Sequence, residues 1–220
     1  MLALITEWKP NVVVHLAYRK NDRRCTTDGS NYVAEAAAAC RARLVHLSTD
    51  VVFPGRPAPY SEADSPFPIS DYGRMKADAE KAVATACPSA VLLRTSLLYG
   101  TEIVSQTQED VRNALTGRTD MAFYTNEYRS PVHADDVARA ICGLAAMPDV
   151  SGPLHVAGPE PLSRAEYAAA IARWLGLNPL LLRTCAAGDS GFDRPGRVVL
   201  DSSKAAGLGI RCRPIAEALR

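Results

Sequence analysis

Short continuous apolar runs alternate with longer helical segments through the first hundred residues. Residues 12–17 read VVVHLA, residues 44–49 read LVHLST and residues 90–95 read AVLLRT. Runs of this length, bounded by breaks such as Pro10-Asn11, suit strands buried on both faces of a parallel sheet. Between them, the alanine-rich residues 28–42 and residues 71–86 predict helices. Residues 2–8 read as the end of an earlier helix. Strand, helix, strand, helix, strand is the order of an α/β fold with crossover helices. After Gly100 the pattern loosens. Residues 105–116 predict a helix, residues 121–124 a short strand, and residues 134–147 a helix whose first turn carries Asp135 and Asp136, where negative charge suits the dipole. Residues 154–157 predict another strand. Ser163, with Glu166 three positions on, has the spacing of a capping box opening a further helix. Residues 183–196 read as loop.

Composition narrows the function classes. A net charge of +1 with no basic block argues against nucleic acid as the main partner. No apolar run approaches 18 residues, and the start lacks a basic segment followed by a hydrophobic one. No membrane span or signal peptide is therefore expected. The six cysteines are scattered without Cys-x-x-Cys spacing, as expected of free thiols in a reducing, cytoplasmic setting. The four histidines lie on or beside the predicted strands without ligand spacing, so no metal is expected. Trp8 and Trp174 read as packing residues on helices.

The candidate chemistry centres on Ser70-Asp71-Tyr72-Gly73-Arg74-Met75-Lys76. Four residues apart on a helix, Tyr72 and Lys76 share one face. An ammonium nearby favours the phenolate and lowers a tyrosine pKa from about 10, suiting it to acid–base work at a carbonyl. Taken alone, the spacing also fits an ordinary exposed helix turn. Upstream, the strand at 44–49 ends in Ser48-Thr49-Asp50, with a hydroxyl and a carboxylate where open α/β sheets hold their ligands.

Together these motifs resemble the extended short-chain dehydrogenase/reductase superfamily. Ser-Thr-Asp-x-Val-Phe with Tyr-Gly-x-x-Lys is most similar to its dTDP-4-dehydrorhamnose reductase family. The likeness continues through Arg94-Thr95-Ser96, residues 130–136 and Arg194-Pro195-Gly196. It implies a Rossmann-like, doubly wound parallel sheet over residues 1–150, with a small substrate-binding lobe over 151–220 and some chain exchange between them. It also implies an NADP- or NAD-dependent reductase of a nucleotide-linked 4-keto sugar or related carbonyl. In that reading Tyr72 donates the proton, Thr49 bonds the carbonyl oxygen, and Lys76 lowers the Tyr72 pKa and holds the nicotinamide ribose. Leu16, Ala17 and Tyr18, with the backbone of Leu47, fall at cofactor-contact positions. Asp50 faces the sugar, and Arg194 and Arg197 suit a diphosphate. A homodimer is the candidate assembly.

Several positions depart from the family's pattern. Dehydratases of the superfamily follow this strand with Asp-Glu. Here Val51 follows Asp50, which favours simple reduction. Leu97 stands where the reductases usually have a tryptophan near the sugar. Thr26 stands where the superfamily often has an asparagine. None of the 14 glycines forms Gly-x-Gly-x-x-Gly or Gly-x-x-Gly-x-x-Gly. The resemblance places residues 12–17 at the fourth strand of the complete sheet, so the expectation is a late start that omits three strands and the glycine-rich turn. Two alternatives accompany the reductase. One is an epimerase using the same Tyr/Lys pair; the other is a non-catalytic regulatory homologue.

Overall fold

The computed structural model describes residues 2–190 and 195–220. Helix α1 (Leu2–Trp8) leads into strand β1 (Val12–His15). A wide helical turn (Arg24–Asp28) then opens α2 (Gly29–Ala39). Strand β2 (Arg43–Thr49) runs into a tight turn (Asp50–Val52), and α3 (Asp71–Ala86) leads to β3 (Val91–Thr95). Next come β4 (Leu98–Tyr99), α4 (Gln106–Leu115), β5 (Ala122–Tyr124), β6 (Tyr128–Arg129), β7 (Val132–His133) and α5 (Ala134–Ala145). The chain closes with β8 (Gly152–His155), β9 (Leu162–Ser163), α6 (Arg164–Trp174), β10 (Arg183–Cys185), α7 (Ser203–Gly207) and α8 (Ile215–Ala218).

The main sheet has the order β1-β2-β3-β8, all parallel. Side chains alternate across it, so each strand feeds two cores. Leu44 and Leu92 pack with Ile5, Val33 and Val83 from α1, α2 and α3. Val45, Val91 and Leu93 pack on the other face with Val137, Ile141 and Leu144 of α5. Helices on both faces make this the α/β, Rossmann-like layering that the strand–helix alternation predicts. Because both faces of β2 and β3 are covered, their sequences are continuously apolar.

β1 departs from expectation. It ends at His15, so Leu16 and Ala17 lie in the following loop. Nor is it a buried strand: it forms a sheet edge, and Val14 is 43% exposed. Trp8, expected to pack, is 75% exposed at the end of α1. Burial depends on what lies beside a segment, and no described residue covers this edge.

A second apolar cluster joins Tyr99, Val111 and Phe123 to Tyr167, Ile171 and Ile215. It packs α4 against α6 and is edged by the parallel pair β5–β10. β10 lies inside the segment read as loop. Its partner is some sixty residues away, a pairing that local pattern cannot reveal. The boundary expected at residue 150 falls just before β8, which returns the chain to the main sheet. The expected capping box forms, Ser163 with Glu166 opening α6, and a further one, Ser105 with Gln108, opens α4. Among the described residues, no helix is long and apolar enough to cross a membrane.

Candidate active site

β2 ends in Thr49, whose hydroxyl accepts a bond from Val51 N–H and so caps the tight turn. The same hydroxyl lies 3.3 Å from Asp50 Oδ1. α3 begins two residues before Gly73, with Ser70 as its N-cap accepting from Gly73 N–H. A Cβ on Gly73 would lie 2.3 Å from the Val51 carbonyl oxygen and 2.9 Å from Pro68 Cβ. Only glycine lets α3 lie this close to the turn after β2. This is a physical reason for the Gly in Tyr-Gly-x-x-Lys, because the close approach brings the Tyr72 turn to the strand end.

Lys76 is 3% exposed, and its ammonium donates to the Leu47 carbonyl at 2.7 Å. Burial pushes its pKa down to about 8, partly offset by Glu80 one turn along α3. Glu80 is itself held by Arg94 of β3 in a buried ion pair, with Nη2 to Oε2 at 2.8 Å. Arg94 therefore has the structural role of a strand-end cation paired with a carboxylate.

The Tyr72 phenol departs from expectation: its pKa is raised, not lowered. Burial is the main cause, and Tyr18 and the Asp50 charge add to it. The Lys76 ammonium makes its hydrogen bond to the Leu47 carbonyl and is not among the groups that set this shift. Tyr18 leans over Tyr72, with ring centroids 5.6 Å apart and planes at 43°.

Asp50 is buried rather than open to a ligand. It accepts from Ser96 Oγ at 2.6 Å and faces Arg129 Nε at 3.8 Å. Burial raises its pKa, while Arg129 and Ser96 oppose the rise. Arg129 also pairs with Glu127 at 3.2 Å. This buried Ser96–Asp50–Arg129–Glu127 chain was missed in the sequence, although Ser96 closes the Arg-Thr-Ser motif.

A second unforeseen feature lies at the strand ends. His15 and His46 are partners across β1 and β2, and their Nδ1 atoms are 3.0 Å apart. Burial holds the His15 pKa at about 4 and that of His46 well below its ordinary value, with Lys76 adding to both. Each of the four histidines makes a hydrogen bond through Nδ1, while His46 Nε2 and His133 Nε2 are buried without one.

The remaining predicted positions are dispersed. Leu16, Ala17 and Tyr18 are exposed on the loop after β1. Leu97 packs with the second apolar cluster around Tyr99 and Tyr167. Arg197 donates from Nε to the Pro57 carbonyl and lies over the Tyr128 ring. Arg194 lies outside the described residues. A cavity of about 610 Å³ lies against Gly158, Leu200 and Asp201, and its lining includes none of Thr49, Tyr72 or Lys76. Tyr72 and Lys76 instead lie on the first turns of α3, which packs against β2 and the turn after it.

Comparison with known proteins matches residues 1–220 to the model of the RmlD substrate binding domain. The chain belongs to this family. Methionine adenosyltransferase 2 subunit beta of Pongo abelii is 33% identical over 232 residues, covering 94% of this chain and 67% of that protein. The dTDP-4-dehydrorhamnose reductase of Sinorhizobium fredii is 34% identical over 181 residues, covering 74% of this chain and 61% of its own length. Among solved structures, the dTDP-4-dehydrorhamnose reductase of Bacillus anthracis in complex with NADP superposes with a TM-score of 0.87. At 24% identity, covering 99% of this chain and 82% of that one, it is a likeness of fold. The family thus joins reductases to a subunit of a different enzyme, and the resemblance read from the motifs holds at family level.

Proposed function

We propose that this RmlD-family chain carries the acid–base half of an NADPH- or NADH-dependent reductase acting on a nucleotide-linked 4-keto sugar. The observation that carries the reading is the buried Lys76 ammonium, one helical turn from Tyr72 and bonded to the Leu47 carbonyl beside Thr49. A buried cation is costly unless used, and it recurs at functional sites.

The residues fit one end of a nicotinamide cofactor. An ammonium has three donors, and the Leu47 carbonyl takes one, leaving N–H groups for ribose hydroxyls. When bound, the cofactor supplies the hydride. Tyr72, held neutral by its surroundings, is the proton donor to the developing alkoxide. Thr49 bonds that oxygen once its hydroxyl turns from Asp50. Asp50 and Ser96 hold the turn bearing Thr49. Leu97, packed in the second cluster, leaves sugar recognition to other groups, and the Arg194 role stays a proposal resting on resemblance. The absence of a glycine-rich turn from these 220 residues gives the pyrophosphate end no comparable cradle.

The test is NADPH oxidation with dTDP-4-dehydrorhamnose and related 4-keto sugar nucleotides. Tyr72→Phe is expected to lower turnover by about 10²–10⁴-fold, the usual worth of a general acid. Lys76→Ala should weaken both turnover and cofactor affinity. Wild-type turnover by Tyr72→Phe on a true substrate would remove Tyr72 from the mechanism.

A second reading rests on the 33% identity to the methionine adenosyltransferase subunit. In it the same fold serves as a partner of another protein without turnover. Stable co-purification with a methionine adenosyltransferase, together with no turnover on any of the sugars, would favour it.

A further inference from the structure

Tyr18 belongs to a loop that has no reason from its own sequence to lie over the site. Its position is set by Thr26, in the wide turn before α2. Thr26 Oγ1 accepts from Arg19 N–H at 3.1 Å and donates to the Arg19 carbonyl at 2.8 Å. Both backbone groups of the residue after Tyr18 are thus tied to one side chain, which is itself fully buried. The loop is pinned again by Asp22, whose carboxylate accepts from Cys25 N–H at 2.9 Å. The result places the Tyr18 ring 5.6 Å from that of Tyr72 and 6.0 Å from the Lys76 ammonium.

We propose that Tyr18 is a positioning residue for the Tyr72 phenol, clamped over it by Thr26 through the Arg19 backbone. The functional meaning rests on the reductase reading: burial does most to disfavour the Tyr72 phenolate, and Tyr18, packed beside the ring, adds to it. Tyr18 is 53% exposed, so it can swing outward without disturbing the core. The groups facing Tyr72 fit this role. Asp50 from the turn after β2 and Tyr18 from the loop after β1 both oppose the phenolate. Lys76 on α3 is bonded to Leu47, with the neutral His15–His46 pair nearby.

The test is a pH titration of the intact chain labelled at tyrosine Cζ and followed by carbon-13 resonance, with Tyr72→Phe identifying the Tyr72 signal. Tyr18→Phe keeps the ring over Tyr72 but removes the hydroxyl. It is expected to lower the Tyr72 midpoint by about one pH unit. Thr26→Val, which loses both Arg19 bonds at nearly constant shape, should lower it in the same direction. Thr26→Ser, which keeps them, should match the wild type. At neutral pH the Tyr72 Cζ shift should move in Tyr18→Phe and Thr26→Val but not in Thr26→Ser, so the comparison does not depend on an alkaline sample. An unchanged Tyr72 signal in Tyr18→Phe, at neutral pH and through the titration, or identical behaviour of Thr26→Val and Thr26→Ser, would overturn the proposal. The experiment uses the chain without cofactor or substrate. A failed reductase assay therefore leaves it standing, and a failed titration leaves the reductase reading standing.

Discussion

Two buried imidazoles sharing one hydrogen bond make a pH-sensitive pair. His15 titrates at about 4 in the folded chain, against about 6.5 when unfolded. Above about pH 6.5 the ring is neutral in both states and the fold keeps its full stability. As pH falls from there toward 4, the unfolded chain takes up the proton first, so stability is lost. The full gap is worth about 3 kcal/mol for His15 alone. Lys76 adds no slope in this window, because below about pH 8 it is protonated in both states. Asp50, raised in the fold, works in the opposite direction, so the contribution of the pair is isolated by variant. Denaturant midpoints at about pH 7.5 and pH 5 should show clear acid loss in the wild type and a flatter response in His15→Asn. Equal slopes in the two proteins would assign the acid sensitivity elsewhere.

At the scale of elements, the site depends on how closely α3 approaches the turn after β2. Gly73 permits the approach, with Ser70 fixing the helix start and the Glu80–Arg94 pair tying its middle to β3. Gly73→Ala puts a methyl against the Val51 carbonyl, and backbone cannot swing aside as a side chain can. The expected cost is about 1–3 kcal/mol of stability, the range for overpacking. Turnover should fall by more than that stability loss explains, because Tyr72 and Thr49 are carried apart. Thermal unfolding and turnover measured on the same variant check this. An unshifted melting temperature would show that α3 has more room than the geometry allows.

For the whole molecule, the two ends of the main sheet differ. β8 is flanked by the 198–214 segment, whereas β1 offers Val12, Val14 and the nearby Leu16 and Trp8 to solvent. An uncovered parallel edge invites pairing with another chain. The same edge is where a dinucleotide fold receives its pyrophosphate-binding half, and no glycine-rich turn exists within the 220 residues. Calorimetric titration of this chain with NADPH and with NADH should therefore show binding weaker than about 100 μM, since in the proposed reading Lys76 and Tyr72 meet only the nicotinamide end. Micromolar binding by this chain alone would mean that other residues make the cofactor site.

The sequence by itself determined the layering and the helix that carries Tyr72 and Lys76. Continuous apolar runs at β2 and β3 need cover on both faces, and capping residues such as Ser163 act on neighbours three positions away. Such signals are local, so they can be read along the chain. Tyr72 and Lys76 were legible for the same reason, since helix spacing alone puts them on one face. Tertiary structure alone decided the electrostatics. Whether the Tyr72 pKa is lowered or raised depends on how far the ring is buried and on what faces it, and burial raises it. Tyr18 over Tyr72, Ser96 on Asp50, and His15 beside His46 join residues between 31 and 54 positions apart. Such contacts arise from strand order and loop anchoring, which no local pattern encodes. Exposure of β1 follows the same rule, because a strand with the sequence of a buried one is buried only where something packs beside it.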